Sequence, residues 1–200
     1  MPSALDLRLE AAYNLITGPG GPIQVGTVER FGRELPFITN APTNLGDYVA
    51  FFAAQHGDAE ALALAQLQLA GAGGVLTLMT KDELAARGAG SLGSLVRARG
   101  MAWFHLPIAD DEAPDEAFEQ AWLSVLPQLI SLLREGRHLA IHCHGGSGRT
   151  GLVAALLLMA LGQPQPEAMA TIRARRPGAF TLACHRHWLD TRGRRLAGAD

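Results

Sequence analysis

Short apolar runs alternate with amphipathic or Ala/Leu-rich stretches along the chain. Runs bounded by glycine or proline are typical of buried strands, and apolar positions three or four residues apart are typical of helices. This pattern predicts strands at residues 23–28, 35–39, 75–79, 101–106 and 138–142. It predicts helices at residues 45–70 (as two helices, the second at 59–70), 81–87, 91–99, 114–135, 150–161, 164–175 and 181–194. Strands that alternate with helices predict a mainly parallel sheet covered by helices on both faces.

The size and composition fit one α/β domain. The chain has 200 residues, of which 48% are hydrophobic, and it contains no internal repeat or low-complexity tract. This length is sufficient to bury a core within a single domain. We therefore predict one domain with a central, mainly parallel sheet flanked by helices.

The charge and the cysteine content exclude several classes of protein. A formal net charge of −2 argues against a nucleic-acid-binding or membrane-surface protein, because both classes usually carry a basic excess. The first ten residues do not resemble a signal peptide, and the longest apolar run, at 152–161, is about half the ~20 residues that span a bilayer. Two cysteines cannot form a disulfide framework. We expect a cytoplasmic protein with no nucleic-acid partner and no membrane anchor.

The most informative stretch is residues 138–152, a predicted strand followed by a glycine-rich loop and a predicted helix. Cys143 ends the strand, and Arg149 and Thr150 follow after five loop residues. Backbone N–H groups at a helix N-terminus favour a bound anion, and glycines let such a loop curl around it. The loop residues are His144, Gly145, Gly146, Ser147 and Gly148. We predict that this loop binds a phosphate group.

The residue types around this loop indicate nucleophilic displacement at phosphorus. The helix N-terminus favours the thiolate of Cys143, which is its nucleophilic form. Arg149 can hold two phosphate oxygens with its forked guanidinium group. The Thr150 hydroxyl can donate to the sulfur and make it a better leaving group in a second step. We expect His142 to lie beneath the loop and to hold its shape by hydrogen bonding.

Such a reaction also needs an acid that protonates the departing oxygen. Residues 105–115 end a predicted strand and carry several acidic side chains before the next helix. Asp110 and Asp111 are both candidates, and the residue types alone do not choose between them.

The stretch HCHGGSGRTGLVAALLL, at residues 142–158, resembles the C-x5-R signature of cysteine-dependent protein tyrosine and dual-specificity phosphatases. The second half of the chain is similar to the kinase-associated phosphatases of the cyclin-dependent kinase inhibitor 3 type. The similarity covers residues 75–189 and includes the stretch PEAMATIRARRPGAF at residues 166–180. The resemblance implies a (phosphotyrosine protein phosphatase II)-like fold and a reaction through a phosphocysteine intermediate, without a metal or other cofactor.

The resemblance also implies roles for particular residues. The family's aspartate loop places the general acid at Asp110, with Asp111 as the alternative, because residues 107–110 read PIAD and a proline and an aspartate follow at 114 and 115. Related enzymes often carry glutamines that position the hydrolytic water, whereas this chain has Thr181 and His185 at the corresponding positions. The implied organisation is one phosphatase domain over residues 1–200. It comprises an N-terminal extension at 1–21, a loosely matched part at 22–70 and a catalytic core at 75–189.

Other sites were weighed against this interpretation. The cysteine and histidines at 142–144, 185 and 187 match no common zinc spacing, so no metal site is predicted. The loop lacks the lysine of a nucleotide-binding loop. Ser147 is followed by Gly148 and Arg149, so it does not complete the Gly-x-Ser-x-Gly motif of a serine hydrolase. Ser147 is therefore expected to be a loop donor and not a nucleophile.

The substrate class leaves several alternatives. A phosphorylated protein or peptide is the expected substrate, with phosphotyrosine first and phosphoserine or phosphothreonine as further targets. The loop contains no lysine or additional arginine, which favours a singly phosphorylated substrate over a phosphoinositide or inositol phosphate. A catalytically inactive phosphate-binding module is the remaining alternative, although such modules usually lose the Cys, Arg or Asp. The oligomeric state is left open.

Overall fold

The structure is a computed structural model. It describes residues 72–135, 137–144 and 148–198, with the backbone alone at residue 175. It also describes residues 64, 67 and 68, and the backbone of residues 11–12, 26–30 and 33–37. Predictions for other positions, including the helix at 45–58 and three residues of the glycine-rich loop, lie outside the described residues.

The central sheet has three parallel strands. They are β4 (Ala72–Thr77), β5 (Ala102–His105) and β6 (His138–His142), in the order β5-β4-β6. Every residue of β4 is buried, as expected for the middle strand of a parallel sheet covered on both faces. The predicted parallel sheet is confirmed, although β4 begins and ends earlier along the chain than the predicted strand.

Helices cover both faces of this sheet. Neighbouring residues Trp103 and Phe104 of β5 point to opposite faces, because side chains alternate along a strand. Trp103 lies so close to Gly93 that a larger side chain at residue 93 would overlap its ring, whereas Phe104 belongs to the main hydrophobic core. The helices are α1 (Lys81–Ala86), α2 (Leu92–Ala98), α3 (Glu116–Arg134), α4 (Gly148–Ala160), α5 (Gln165–Arg175), α6 (Ala183–Trp188) and α7 (Arg194–Leu196).

Helix α4 is the centre of the core. Every residue from Arg149 to Met159 is buried, because the helix is apolar on all sides and packs against β6, α5 and α6. Helix α3 shows the opposite pattern, with a single buried stripe of side chains. That stripe is Phe118, Trp122, Leu129 and Leu133.

The last predicted helix, at 181–194, is interrupted. Helix α6 ends at Trp188, a π-helical segment follows at Leu189–Gly193, and α7 continues from Arg194. The Thr191 hydroxyl donates to the backbone oxygen of His187 at 2.8 Å. A threonine that bonds back to the preceding turn in this way often distorts a helix.

The N-terminal strands form a separate antiparallel sheet in the order β1-β2-β3. Its strands are β1 (Ala11–Ala12), β2 (Gly26–Arg30) and β3 (Arg33–Phe37), and β2 and β3 pair as a hairpin. The predicted strands at 23–28 and 35–39 overlap β2 and β3. At 59–70, the described residues 64, 67 and 68 are helical, in agreement with the prediction.

The carboxyl ends of the central strands lie side by side. Thr77 of β4 is in register with both His105 of β5 and His142 of β6. Each strand continues into a different loop: the loop after β4 leads to α1, the loop after β5 to α3 and the loop after β6 to α4. Ligands of open parallel sheets bind outside this edge, so the loops that follow the strands are the place to look for a site.

None of the helices within the described residues combines the length and the hydropathy needed to cross a membrane.

Candidate active site

Cys143 lies directly after β6, beneath the start of α4. Its side chain is buried, and its Sγ accepts a hydrogen bond from the Thr150 hydroxyl at 3.1 Å. The structure thus places Thr150, the predicted hydrogen-bond donor to the sulfur, in contact with Cys143, the predicted nucleophile. Of the predicted phosphate loop, His144 and Gly148 are described, whereas Gly145, Gly146 and Ser147 lie outside the described residues.

Arg149 lies in the first turn of α4, and its side chain is only 2% exposed. Its Nη1 donates to Glu83 Oε2 and to the backbone oxygen of Ile108, both at 2.9 Å. Its Nη2 contacts Glu83 Oε1 at 2.8 Å and Asp110 Oδ1 at 2.9 Å. These contacts occupy the hydrogens of both terminal nitrogens. A phosphate that displaced Asp110 could therefore take one Nη2 hydrogen.

Glu83 is a site residue that the sequence analysis missed. It is the third residue of α1, where it forms a capping box with Thr80: the Thr80 hydroxyl accepts from Glu83 N, and Glu83 Oε2 accepts from Thr80 N. Burial alone would raise the pKa of Glu83, but the bonds from Arg149 and Thr80 lower it to about 2. The signal in the sequence was the Thr-x-x-Glu pattern after a strand, which marks a helix start but does not reveal the arginine partner.

The two candidate acids lie in residues 105–115, called here the acid loop, and their surroundings differ. Asp110 contacts Arg149, although its own side chain is 61% exposed. Asp111 has a positive φ of 58°, which is uncommon for a non-glycine residue, and its backbone oxygen faces Cys184 Sγ at 3.5 Å. Of the two aspartates, Asp110 therefore makes the described side-chain contact with Arg149. Asp115, farther along the loop, caps α3 by accepting from Phe118 N.

His142 is fully buried under the loop. Its Nε2 is 2.9 Å from the Thr77 hydroxyl, which also accepts a hydrogen bond from Trp103 Nε1 at 2.9 Å. Burial lowers the pKa of His142 to about 4, which leaves the ring neutral near pH 7. A neutral, fully buried ring tied to the neighbouring strand suits the predicted supporting role.

Two arginines add positive charge near the loop. Arg87 Nη2 donates to His144 Nε2 at 2.9 Å, on the exposed side of the loop. Arg176 follows α5, and among the described residues its Nε and Nη2 are buried without a hydrogen-bond partner. Burial lowers the pKa of Arg176 to about 10, and the charge of Cys143 opposes this shift. The guanidinium group thus stays charged at neutral pH and lies within electrostatic reach of the nucleophile.

The start of α6 lies against both loops. His185 is 1% exposed, and its Nε2 is 2.8 Å from the backbone oxygen of Glu112. A methyl group added to Gly148 would lie 3.5 Å from His185 Cε1, so the ring faces the end of the phosphate loop with room for about one methyl group between them. Thr181, the other position at which relatives carry glutamine, is exposed and bonds to the backbone oxygen of Gly178. The structure brings His185, but not Thr181, into contact with the candidate site.

Within the described part of the chain, no group of three or more His, Cys, Asp or Glu side chains is arranged to hold a metal ion.

Comparison with known proteins shows the family to which the chain belongs. Residues 48–191 match the model of the PTP-SAK family, described as a Swiss Army Knife protein, DSP-PTPase phosphatase domain. This match covers well over half of the chain. The chain belongs to that phosphatase family. Its parallel sheet is the one expected from the sequence.

Curated relatives are similar over about half of the chain. Cyclin-dependent kinase inhibitor 3 of Rattus norvegicus is 34% identical over 96 residues, covering 48% of this chain and 44% of its own. Protein tyrosine phosphatase PRL-1 of Leishmania major is 30% identical over 112 residues, covering 53% of this chain and 63% of its own. The chain thus spans about half the length of the curated relatives it matches.

Solved structures of this family share the fold. A crystal structure of kinase associated phosphatase, with serine substituted for its catalytic cysteine, has a TM-score of 0.62 and 27% identity. It covers 72% of this chain and 79% of its own. Tk-PTP in the active form has a TM-score of 0.55 and 30% identity, with 66% and 86% coverage. The expected likeness to cysteine-dependent dual-specificity phosphatases of the kinase-associated type is confirmed.

Proposed function

We propose that the chain is a phosphoric monoester hydrolase that removes phosphate from phosphotyrosine, and also from phosphoserine and phosphothreonine, in proteins or peptides. Family membership supports the reaction type. The absence of lysine and arginine from residues 144–148 supports a singly phosphorylated substrate. The catalytic core is the sequence over residues 75–189.

In the first step, the thiolate of Cys143 attacks phosphorus and the bond to the substrate oxygen breaks. Arg149 and the backbone N–H groups at the start of α4 hold the phosphoryl oxygens. Asp110 donates a proton to the departing oxygen, which leaves as an alcohol or phenol. The products of this step are the dephosphorylated substrate and a phosphocysteine.

In the second step, water attacks the phosphocysteine and the S–P bond breaks. Asp110, now ionised, takes a proton from the water, and the Thr150 hydroxyl stabilises the departing thiolate. Inorganic phosphate leaves and Cys143 returns to its thiolate form. Because the reaction needs a reduced thiol, we place the protein in the cytoplasm; Cys143 and Cys184 are not joined by a disulfide in the structure.

The observation that carries this proposal is the contact between Asp110 and Arg149 at 2.9 Å. The two residues lie 39 positions apart along the chain, Asp110 on the acid loop and Arg149 in the first turn of α4, yet the fold brings a carboxylate to this arginine. This contact supports Asp110 as the general acid in preference to Asp111.

The test is hydrolysis of phenyl phosphate and of matched phosphotyrosine, phosphoserine and phosphothreonine peptides. We expect Cys143→Ser to be inactive and Asp110→Ala to lose about 100-fold in kcat on phenyl phosphate, the usual contribution of a general acid. Asp111→Ala is the matched control and should lose less than about threefold.

Full activity of Cys143→Ser would overturn the mechanism. If Asp111→Ala were inactive and Asp110→Ala were not, the acid would be Asp111. Activity restricted to inositol phosphates or phosphoinositides, added as separate substrates, would overturn the proposed substrate class.

A further inference from the structure

His185 lies between the two loops on which the proposed reaction depends. Its ring faces Gly148, at the end of the phosphate loop, where a methyl group added to the glycine would lie 3.5 Å from His185 Cε1, and its Nε2 is 2.8 Å from the backbone oxygen of Glu112 in the acid loop. The side chain is 1% exposed, so little water competes for this hydrogen bond. A single buried ring therefore holds the acid loop close to the phosphate loop.

The direction of the hydrogen bond from His185 follows from its partner. A backbone oxygen can only accept, so Nε2 must carry the hydrogen. Burial lowers the pKa of His185, although the bond to the Glu112 backbone oxygen opposes the shift. The charges of Arg149, Asp111 and Asp110 also act on this ring: the arginine lowers its pKa and the two carboxylates raise it. Among the described residues, Nδ1 is buried without a hydrogen-bond partner.

The preceding residue reinforces this attachment. Cys184 Sγ is 3.5 Å from the backbone oxygen of Asp111, so consecutive residues of α6 face consecutive carbonyl groups of the acid loop. The loop needs such support at this point, because Asp111 has a φ of 58°. A non-glycine residue keeps this uncommon conformation only when its surroundings hold it there.

The acid loop is also held on its other side by Arg149. That arginine bonds the backbone oxygen of Ile108 and contacts the Asp110 carboxylate. When a phosphate binds Arg149 and displaces the Asp110 carboxylate, this second attachment weakens at the moment when the acid must be positioned. The attachment through His185 does not involve the phosphate-binding group and can remain in place.

We propose that His185 is a positioning residue for the general acid: it holds the backbone of the acid loop against the phosphate loop, so that Asp110 stays over the leaving oxygen. This inference rests on the proposed function. It predicts that a change at His185 impairs proton donation and leaves attack by the thiolate intact.

Leaving groups separate these two effects. Phenyl phosphate has a poor leaving group that needs protonation, whereas 2,4-dinitrophenyl phosphate has one that departs without an acid. The variants are His185→Gln, whose amide reaches the position of Nε2, and His185→Asn, whose amide reaches only that of Nδ1. We expect the Asn variant to lose about tenfold in kcat/KM on phenyl phosphate and less than about twofold on the dinitrophenyl ester. The Gln variant should stay within about threefold of wild type on both substrates.

A double-mutant cycle tests whether His185 acts through Asp110. If it does, adding His185→Asn to Asp110→Ala should cause no further loss on phenyl phosphate, because the positioned acid is already gone. His187→Asn, on an exposed position of the same helix, is the control and should match wild type. Circular dichroism and thermal unfolding of each variant show whether it is folded.

Equal losses on the two esters, additive losses in the double variant, or identical behaviour of the Asn and Gln variants would overturn the proposal. If the Asn variant does not fold, His185→Phe, which keeps a buried ring but has no hydrogen-bond donor for the Glu112 backbone oxygen, takes its place with the same expected losses, and equal losses on the two esters or full activity on phenyl phosphate would overturn the proposal. If the wild-type chain hydrolysed neither ester, the proposed function itself would be overturned. If the wild type were active and the Asn variant unaffected, only the role proposed for His185 would be overturned.

Discussion

At the scale of single residues, the proposed mechanism makes Asp110 and the substrate phosphate competitors for the guanidinium group of Arg149. Asp110 Oδ1 lies 2.9 Å from Arg149 Nη2, but the Asp110 side chain is 61% exposed. Ion pairs that are this exposed contribute roughly 0–1 kcal/mol, so the competition is weak and a phosphate can displace the carboxylate.

We expect Asp110→Asn to bind tungstate, an unreactive phosphate analogue, up to about fivefold more tightly than wild type, which corresponds to about 1 kcal/mol. Isothermal titration calorimetry measures this affinity directly. Asp111→Asn removes the same charge from the neighbouring residue and should change the affinity less. Weaker tungstate binding by Asp110→Asn would contradict the competition.

Glu83 fixes the orientation of Arg149 with two hydrogen bonds, and the arginine is buried. Removal of the Glu83 charge leaves a buried guanidinium without its main partner. We expect Glu83→Gln to lower the free energy of unfolding by about 2 kcal/mol and to reduce kcat/KM at least tenfold. Urea denaturation and hydrolysis of phenyl phosphate measure the two effects. Asp82→Asn, at an exposed position of the same helix, should change neither substantially.

The stability contributed by Glu83 should depend on pH in a defined direction. Its pKa is lowered from 4.5 to about 2 by the bonds to Arg149 and Thr80, so the folded protein releases this proton more readily than the unfolded chain. The contribution is therefore complete above pH 4.5 and is lost as the pH falls toward 2. We expect the difference in unfolding free energy between wild type and Glu83→Gln to narrow over that interval. Urea titrations at a series of pH values follow it, and a difference that widened on acidification would contradict the assignment.

At the scale of elements, Thr77 joins all three parallel strands at their carboxyl ends. Its hydroxyl accepts from Trp103 Nε1 of β5 and bonds His142 Nε2 of β6. Thr77→Val keeps the shape of the side chain but leaves two polar nitrogens unpaired. We expect a loss of about 1–3 kcal/mol in unfolding free energy, measured by urea denaturation. Thr191→Val, at an exposed position, is the control, and equal losses in both variants would argue against a role for this network.

The sequence predicted the strands and helices of the central layer because their patterns are local. The strand at 138–142 matches β6, and the predicted helix at 114–135 matches α3 to within two residues at each end. The prediction of a phosphate loop also rests on a local pattern, since Cys143, Arg149 and Thr150 lie within eight residues of one another. Such features depend on neighbours along the chain and need no knowledge of the fold.

The partners of the site residues were not predictable in the same way. Glu83 lies 66 positions from Arg149, and His185 lies 73 positions from Glu112. A pattern of single residues cannot reveal which distant carboxylate meets a buried arginine, because the answer depends on the order β5-β4-β6 and on the loops at its edge. The interruption of the last helix at Leu189–Gly193 was missed for a related reason, since Thr191 is compatible with an ordinary helix.

At the scale of the whole molecule, the recognition of anions is local. The chain has a formal net charge of −2, and Glu83 offsets the charge of Arg149 within the site. Long-range attraction of a phosphorylated substrate should therefore be weak. We expect kcat/KM for phenyl phosphate to change less than about threefold when the ionic strength is raised from about 0.05 to about 0.5 M. A tenfold decrease in steady-state assays would indicate long-range steering.

The three loops at the carboxyl edge also have a consequence for folding. Arg149 meets Glu83 and Ile108 across separations of 66 and 41 residues, so these contacts form only after β4, β5 and β6 have paired. Contacts between residues so far apart in sequence form slowly compared with local helices. A refolding chain should recover its helical circular dichroism before it recovers the capacity to hydrolyse an ester, which makes enzymatic activity a reporter of the last stage of assembly.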